Sequence, residues 1–108
     1  PLVARRDGKI EEIAATGTVL GIDESFAFGE CGVKLAPGEL LALYTDGVTE
    51  AESLSGEMYG YVRLREFLCS HKDDSLSTAQ IRLLESLHSF CGRHELSDDY
   101  TVILLRKI

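Results

Sequence analysis

Two stretches of this chain are apolar at every position: "LLALY" at residues 40–44 and the centre of "YTVILLRKI", residues 102–105. An uninterrupted apolar run of this length predicts a strand buried on both faces. Two other stretches space their apolar residues helically. In "YVRLREFLCSHK", Val62, Leu64, Phe67 and Leu68 fall near the helical period, which predicts a helix over about residues 59–71. In "STAQIRLLESLHSFCGRH" the stripe is Ile81, Leu84, Leu87, His88 and Cys91. Ser77 and Gln80 there match a capping box and Gly92 matches a C-cap, so a helix is expected over about residues 77–91.

The remaining segments read as turns and hairpins. "LVARR-DG-KIEEIA" predicts a hairpin, with Asp7–Gly8 suited to a type I′ turn. "ATGTVLGI" is a glycine-punctuated connection. "GECGVKL" alternates at Val33 and Leu35 and predicts a strand. "APGE" then turns the chain with Pro37 early, so a second hairpin into "LLALYT" is expected. "DDS" separates the helices, and "HELSDD" is a polar loop. Hairpin order implies antiparallel pairing. The fold class is therefore α+β: an antiparallel sheet with two helices on one face. Two helices cover only one side of a sheet, so the other side needs a second layer that this chain has few residues left to build.

Composition narrows the function. At 108 residues the chain is one domain or part of one, and 44% hydrophobic residues exclude a disordered chain. No apolar run approaches the ~20 residues of a membrane helix. No signal peptide is expected, and a start at Pro1 rather than Met points to a cleaved or trimmed beginning. The net charge of −7 argues against nucleic acid or an anionic membrane as partner and suits cation binding. Cys31, Cys69 and Cys91 are odd in number and lack a C-x-x-C spacing, so neither a disulfide framework nor a zinc knuckle is indicated. Reduced thiols acting as small apolar fillers in a cytoplasmic protein account for them. His88 reads as a core histidine; His71 and His94 fall near helix ends without assigned chemistry.

The candidate chemistry is acidic. Asp46 ends one apolar run, while Asp98 and Asp99 precede the other. If the two strands are antiparallel neighbours, these residues share one edge of the sheet. Like carboxylates at close range repel unless a cation lies between them, and a hard cation that keeps several waters needs few carboxylates. Gly47 lets the backbone approach closely. From spacing alone, two ordinary surface turns remain the favoured reading.

The order "APGELLALYTDGVTEA … GEMYG … DDYTVILL", with "TGTVLGI" upstream, closely resembles the C-terminal half of the metal-dependent PPM (protein phosphatase 2C-like) serine/threonine phosphatases, in their bacterial SpoIIE/RsbU branch. The resemblance covers nearly the whole chain. It implies that residues 1–108 are the C-terminal portion of one SpoIIE-type domain, part of a four-layer αββα sandwich whose second sheet covers the open face. It also implies that Asp46 and Asp98 are ligands of Mn²⁺ or Mg²⁺, two ions being expected in the complete domain. Asp99, Gly47, Thr45 and Thr101 would support them. Catalysis would use metal-activated water and no protein nucleophile, with "VTEAESLSGEMYG" as part of a flap.

The family's further Asp-Gly ligand, from its N-terminal half, has no counterpart here, and Pro1 falls about where the family's "GH-x-PP" segment ends. The chain alone is therefore expected to be inactive and to self-associate. The implied substrate is a phosphorylated protein, an anti-anti-sigma factor of the STAS type in a bacterial signalling switch. The alternative is a regulatory or binding module of the same fold without turnover.

Overall fold

A computed structural model describes residues 1–92, 96 and 98–108. His94 and most of the "HELS" loop lie outside the described residues. The elements run β1 (Leu2–Ala4), β2 (Ile10–Glu12), β3 (Leu40–Tyr44), α1 (Asp46–Thr49), α2 (Gly60–Ser70), α3 (Leu76–Cys91) and β4 (Val102–Arg106). The strands form one antiparallel sheet in the order β2-β1-β3-β4. The two all-apolar runs are thus neighbours, in register from Leu40↔Arg106 to Tyr44↔Val102.

The first hairpin forms, but not through a type I′ turn. That turn needs positive φ at both central residues, and only Gly8 has it, at 87°. The Lys9 amide donates to Asp7 Oδ1 at 2.9 Å, so Asp7 closes a local side-chain turn at negative φ. The expected second hairpin is absent, and "GECGVKL" forms no strand. Both edges of β3 are already taken, one by β1 and the other by β4. "APGE" does turn the chain: the Glu39 amide donates to the Ala36 carbonyl at 3.0 Å, with Gly38 at φ 89°.

The end of the long connection is tied down by charge. Arg5 Nη1 donates to the Lys34 carbonyl and to Glu39 Oε2, both at 2.8 Å, while its Nη2 reaches Glu11. The Ala36 amide, ahead of the Arg5 guanidinium, holds the buried Glu39 carboxyl below its ordinary value of 4.5.

The helices pack on one face of the sheet. Leu64, Phe67 and Leu68 of α2 and Ala79, Leu83, Leu87 and Cys91 of α3 close over Leu2, Ala4, Leu40, Ala42 and Leu104. The buried stripe of α3 is therefore rotated from the expected one. Leu87 and Cys91 belong to it, Leu84 and His88 are half-buried, and Ile81 is 59% exposed. The choice among several apolar rows is made by the i, i+4 row that meets the sheet. The cap differs too. Ser75, not Ser77, accepts from the Thr78 amide at 3.1 Å, because the "DDS" break leaves Ser75 extended at the helix entrance. Gly92 closes the helix in the left-handed conformation, φ 68°, as expected. Arg106 at the end of β4 donates to the Lys72 and Asp74 carbonyls, locking the turn between the helices to the sheet. Of the cysteines only Cys91 is a buried filler; Cys31 and Cys69 are exposed.

The other face is covered only in part: Val3, which points to it from β1, is fully buried. Leu41 and Leu43 are half-buried, and Ile103 and Leu105 are each 48% exposed. Two-sided burial of the continuous runs is therefore only half realised. No described helix is long and apolar enough to cross a membrane.

The rotated stripe can be checked directly. Leu83→Ala is expected to cost about 2–5 kcal/mol in urea unfolding. Ile81→Ala should stay within about 0.5 kcal/mol of the wild type. A larger cost at Ile81 than at Leu83 would restore the expected stripe.

Candidate metal centre

Strand β3 runs straight into the acidic segment. Thr45 is still extended, at φ −96° and ψ 165°, and Asp46 is the first residue of the single-turn helix α1. The turn starts because the Val48 amide donates to the Thr45 carbonyl at 3.1 Å and the Glu50 amide to the Asp46 carbonyl at 2.8 Å. Opposite lies the entrance to β4. The Thr45 amide donates to the Thr101 carbonyl at 3.1 Å, and the Thr101 amide donates to Thr45 Oγ1 at 2.9 Å.

Gly47 brings the two segments into direct contact. It is buried, and a side-chain carbon there would fall on the Asp99 carbonyl, with the Tyr100 Cα 3.1 Å away. No other residue type fits without moving the backbone that carries Asp98 and Asp99. "TDG" and "DDYT" thus meet at one end of the β3–β4 pair.

A cleft of about 210 Å³ opens beside this junction, lined by Gly47, Glu50, Glu52, Met58 and Asp98 among others. Its far wall is a small hairpin: Glu52 bridges Met58, and the Tyr59 amide donates to the Ala51 carbonyl at 2.8 Å. Asp98 Oδ1 accepts from the Asp99 amide at 2.8 Å, which orients that carboxylate locally. Asp46, Asp98 and Asp99 are exposed, and Asp46 stands at the junction rather than in the cleft wall. Burial, followed by Tyr61 and by the charges of Glu12 and Asp46, pushes the Tyr44 phenol up, against the opposing Arg65.

The donor set suits a hard cation in part. Carboxylate oxygens are the preferred ligands of Mg²⁺ and Mn²⁺, and Gly47 provides the close backbone approach. Among the described residues no three of His, Cys, Asp and Glu converge as a metal-holding group. Asp46 and Asp98, the ligands expected from the sequence, thus form no such group with a third residue among those described. The sequence reading had not singled out Glu50 and Glu52 as acidic neighbours of Asp98. Their alternation directly after "TDG" was the available signal.

A profile of the Stage II sporulation protein E (SpoIIE) family matches residues 1–107. The chain belongs to the SpoIIE family. Two curated relatives are similar in sequence. Phosphoserine phosphatase RsbU of Bacillus subtilis is 30% identical over 107 residues, which is 96% of this chain and 30% of RsbU. Protein IcfG of Synechocystis is 31% identical over 101 residues, 94% of this chain and 16% of IcfG. The chain thus spans less than a third of the curated relatives it matches. Among solved structures, the SiaA-PP2C domain of Pseudomonas aeruginosa superposes with a TM-score of 0.82 at 25% identity, covering 97% of this chain and 42% of that one. The four-stranded antiparallel sheet with its helices is therefore a PP2C-type α+β arrangement in the SpoIIE/RsbU branch.

Gly47→Ala tests the contact. It is expected to destabilise the chain by about 1–3 kcal/mol, since the added methyl must displace the Asp99 backbone. Gly32→Ala, with open space around it, should change thermal stability by no more than about 0.5 kcal/mol. Equal effects at the two glycines would contradict the close approach.

Proposed function

We propose that the complete protein is a Mn²⁺- or Mg²⁺-dependent phosphoserine/phosphothreonine protein phosphatase. In this reading residues 1–108 are the C-terminal portion of its single SpoIIE-type domain. The observation that carries it is the meeting of "TDG" and "DDYT" across Gly47, in a chain of the SpoIIE family. The phosphatase named among its relatives, RsbU, supports the reaction class. Asp46 and Asp98 would hold the metal. Asp99, Gly47, Thr45 and Thr101 would fix the backbone around them. A bound metal of this kind supplies positive charge and lowers the pKa of a coordinated water.

The chain's own contribution is placement. The β3–β4 pair is a rigid post, and α1 turns Asp46 out of the strand end. The hairpin at residues 51–59 borders the cleft as a flap that would limit water access. Repulsion between these carboxylates and a phosphate would keep the substrate away until a cation neutralises them. The substrate we propose is a phosphorylated anti-anti-sigma regulator of the STAS type, met in the cytoplasm of a bacterial cell.

In the complete protein, Asp46→Asn is expected to remove most Mn²⁺-dependent phosphate release from a phosphoserine protein while the thermal midpoint stays level or rises slightly. The change keeps the side-chain shape and removes a charge that repels its neighbours. Wild-type turnover by this variant would exclude Asp46 from catalysis, whereas no turnover by the unaltered complete protein would leave the non-catalytic binding module as the better reading.

The 108-residue chain alone is expected to lack appreciable activity and to self-associate through the face bearing Leu41, Leu43, Ile103 and Leu105. A second copy packed face to face would bury this apolar surface. Sedimentation of the purified chain decides it. A well-folded monomer at high concentration that binds no apolar dye would show that the chain closes its own core.

A further inference from the structure

We propose that the Thr45 hydroxyl is a positioning group that fixes the spacing between the Asp46 and Asp98 segments. The inference deepens the metal-site reading above and rests on it for its functional consequence. The β3–β4 register continues one step past Tyr44↔Val102, to Thr45 and Thr101. The Thr45 amide donates to the Thr101 carbonyl at 3.1 Å, so this is a hydrogen-bonded position of the ladder. At such a position the second bond ordinarily runs from the partner's amide back to the first residue's carbonyl. Here the Thr45 carbonyl instead accepts from the Val48 amide at 3.1 Å and starts α1. The Thr101 amide turns to Thr45 Oγ1, at 2.9 Å.

The hydroxyl therefore stands in for the carbonyl. It lets β3 become a helix within one residue while β4 stays attached at the same point. Asp46 follows on one side of this staple, and Asp98 and Asp99 precede it on the other. A hydrophobic residue at position 45 could begin the helix or keep the ladder, but could not satisfy both amides. Thr45 and Thr101 are exposed, so water can take over the Thr101 amide if the hydroxyl is removed. The fold then loses little, and what is lost is the fixed spacing of the two carboxylate-bearing segments.

The test compares Thr45→Val, nearly the same shape without the acceptor, with Thr45→Ser, which keeps it. Both are made in the complete protein, beside Asp46→Asn. Hydrogen exchange at the Thr101 amide and Mn²⁺ binding by titration calorimetry are measured, with the thermal midpoint as a control. Thr45→Val is expected to raise Thr101 exchange at least about tenfold and to weaken Mn²⁺ binding about 10–100-fold, the range found for groups that orient metal ligands. Thr45→Ser should keep wild-type values for both. Unchanged Thr101 exchange in Thr45→Val overturns the staple, as does Thr45→Ser behaving like Thr45→Val. Unchanged Mn²⁺ affinity in Thr45→Val, where Asp46→Asn loses it, overturns the positioning role. Wild-type Mn²⁺ affinity in Asp46→Asn overturns the metal reading alone, because the exchange rates still decide the staple.

Discussion

The pairing of β3 with β4 is the constraint on which the rest of the molecule depends. These strands are far apart in sequence and adjacent in space, from Leu40↔Arg106 to Tyr44↔Val102. One end of the pair receives the Arg106 bonds that fix the turn between α2 and α3. At the other end Thr45, Gly47, Asp99 and Thr101 interlock. A slip of one residue would turn every inward side chain outward. It would also separate the two acidic segments. The same register that buries Leu40, Ala42 and Leu104 under the helices therefore sets the geometry of the candidate site.

The core is one-sided. Leucine and alanine on the inner sheet face meet a leucine-rich helical layer, while the outer face keeps Ile103 and Leu105 half exposed. An apolar row of this kind on a sheet is unfavourable in water. The chain also spans 42% of the SiaA-PP2C chain it superposes on. Both facts suit a unit whose outer face has a covering layer, which the proposed reading assigns to the rest of the domain.

The acidic balance and the site have one physical logic. A net charge of −7 disfavours polyanionic partners at long range. At short range Glu50, Glu52 and Asp98 line the same cleft, and in the proposed reading a counter-cation would offset their charge before a phosphate approached. The described residues do not by themselves gather a complete ligand group.

The sequence by itself determined which segments could be buried strands, that two helices follow the acidic turn, and which acidic residues lie at strand ends. These features are local: apolar runs, helical spacing, the Gly92 stop, and the "TDG" and "DDYT" motifs that carry the family resemblance. Only the tertiary structure decided which strands pair, and it left "GECGVKL" without a strand because β1 and β4 already flank β3. It likewise decided which row of α3 faces the core, choosing Leu83 over Ile81, since a helix with apolar residues on several rows has its buried side set by its neighbour. The cap fell to Ser75 because the preceding turn, tied to Arg106, fixed where the helix could begin. The Gly47–Asp99 contact and the Thr45–Thr101 staple join residues more than fifty positions apart. No local pattern encodes such a contact; it exists only once the long-range register has formed.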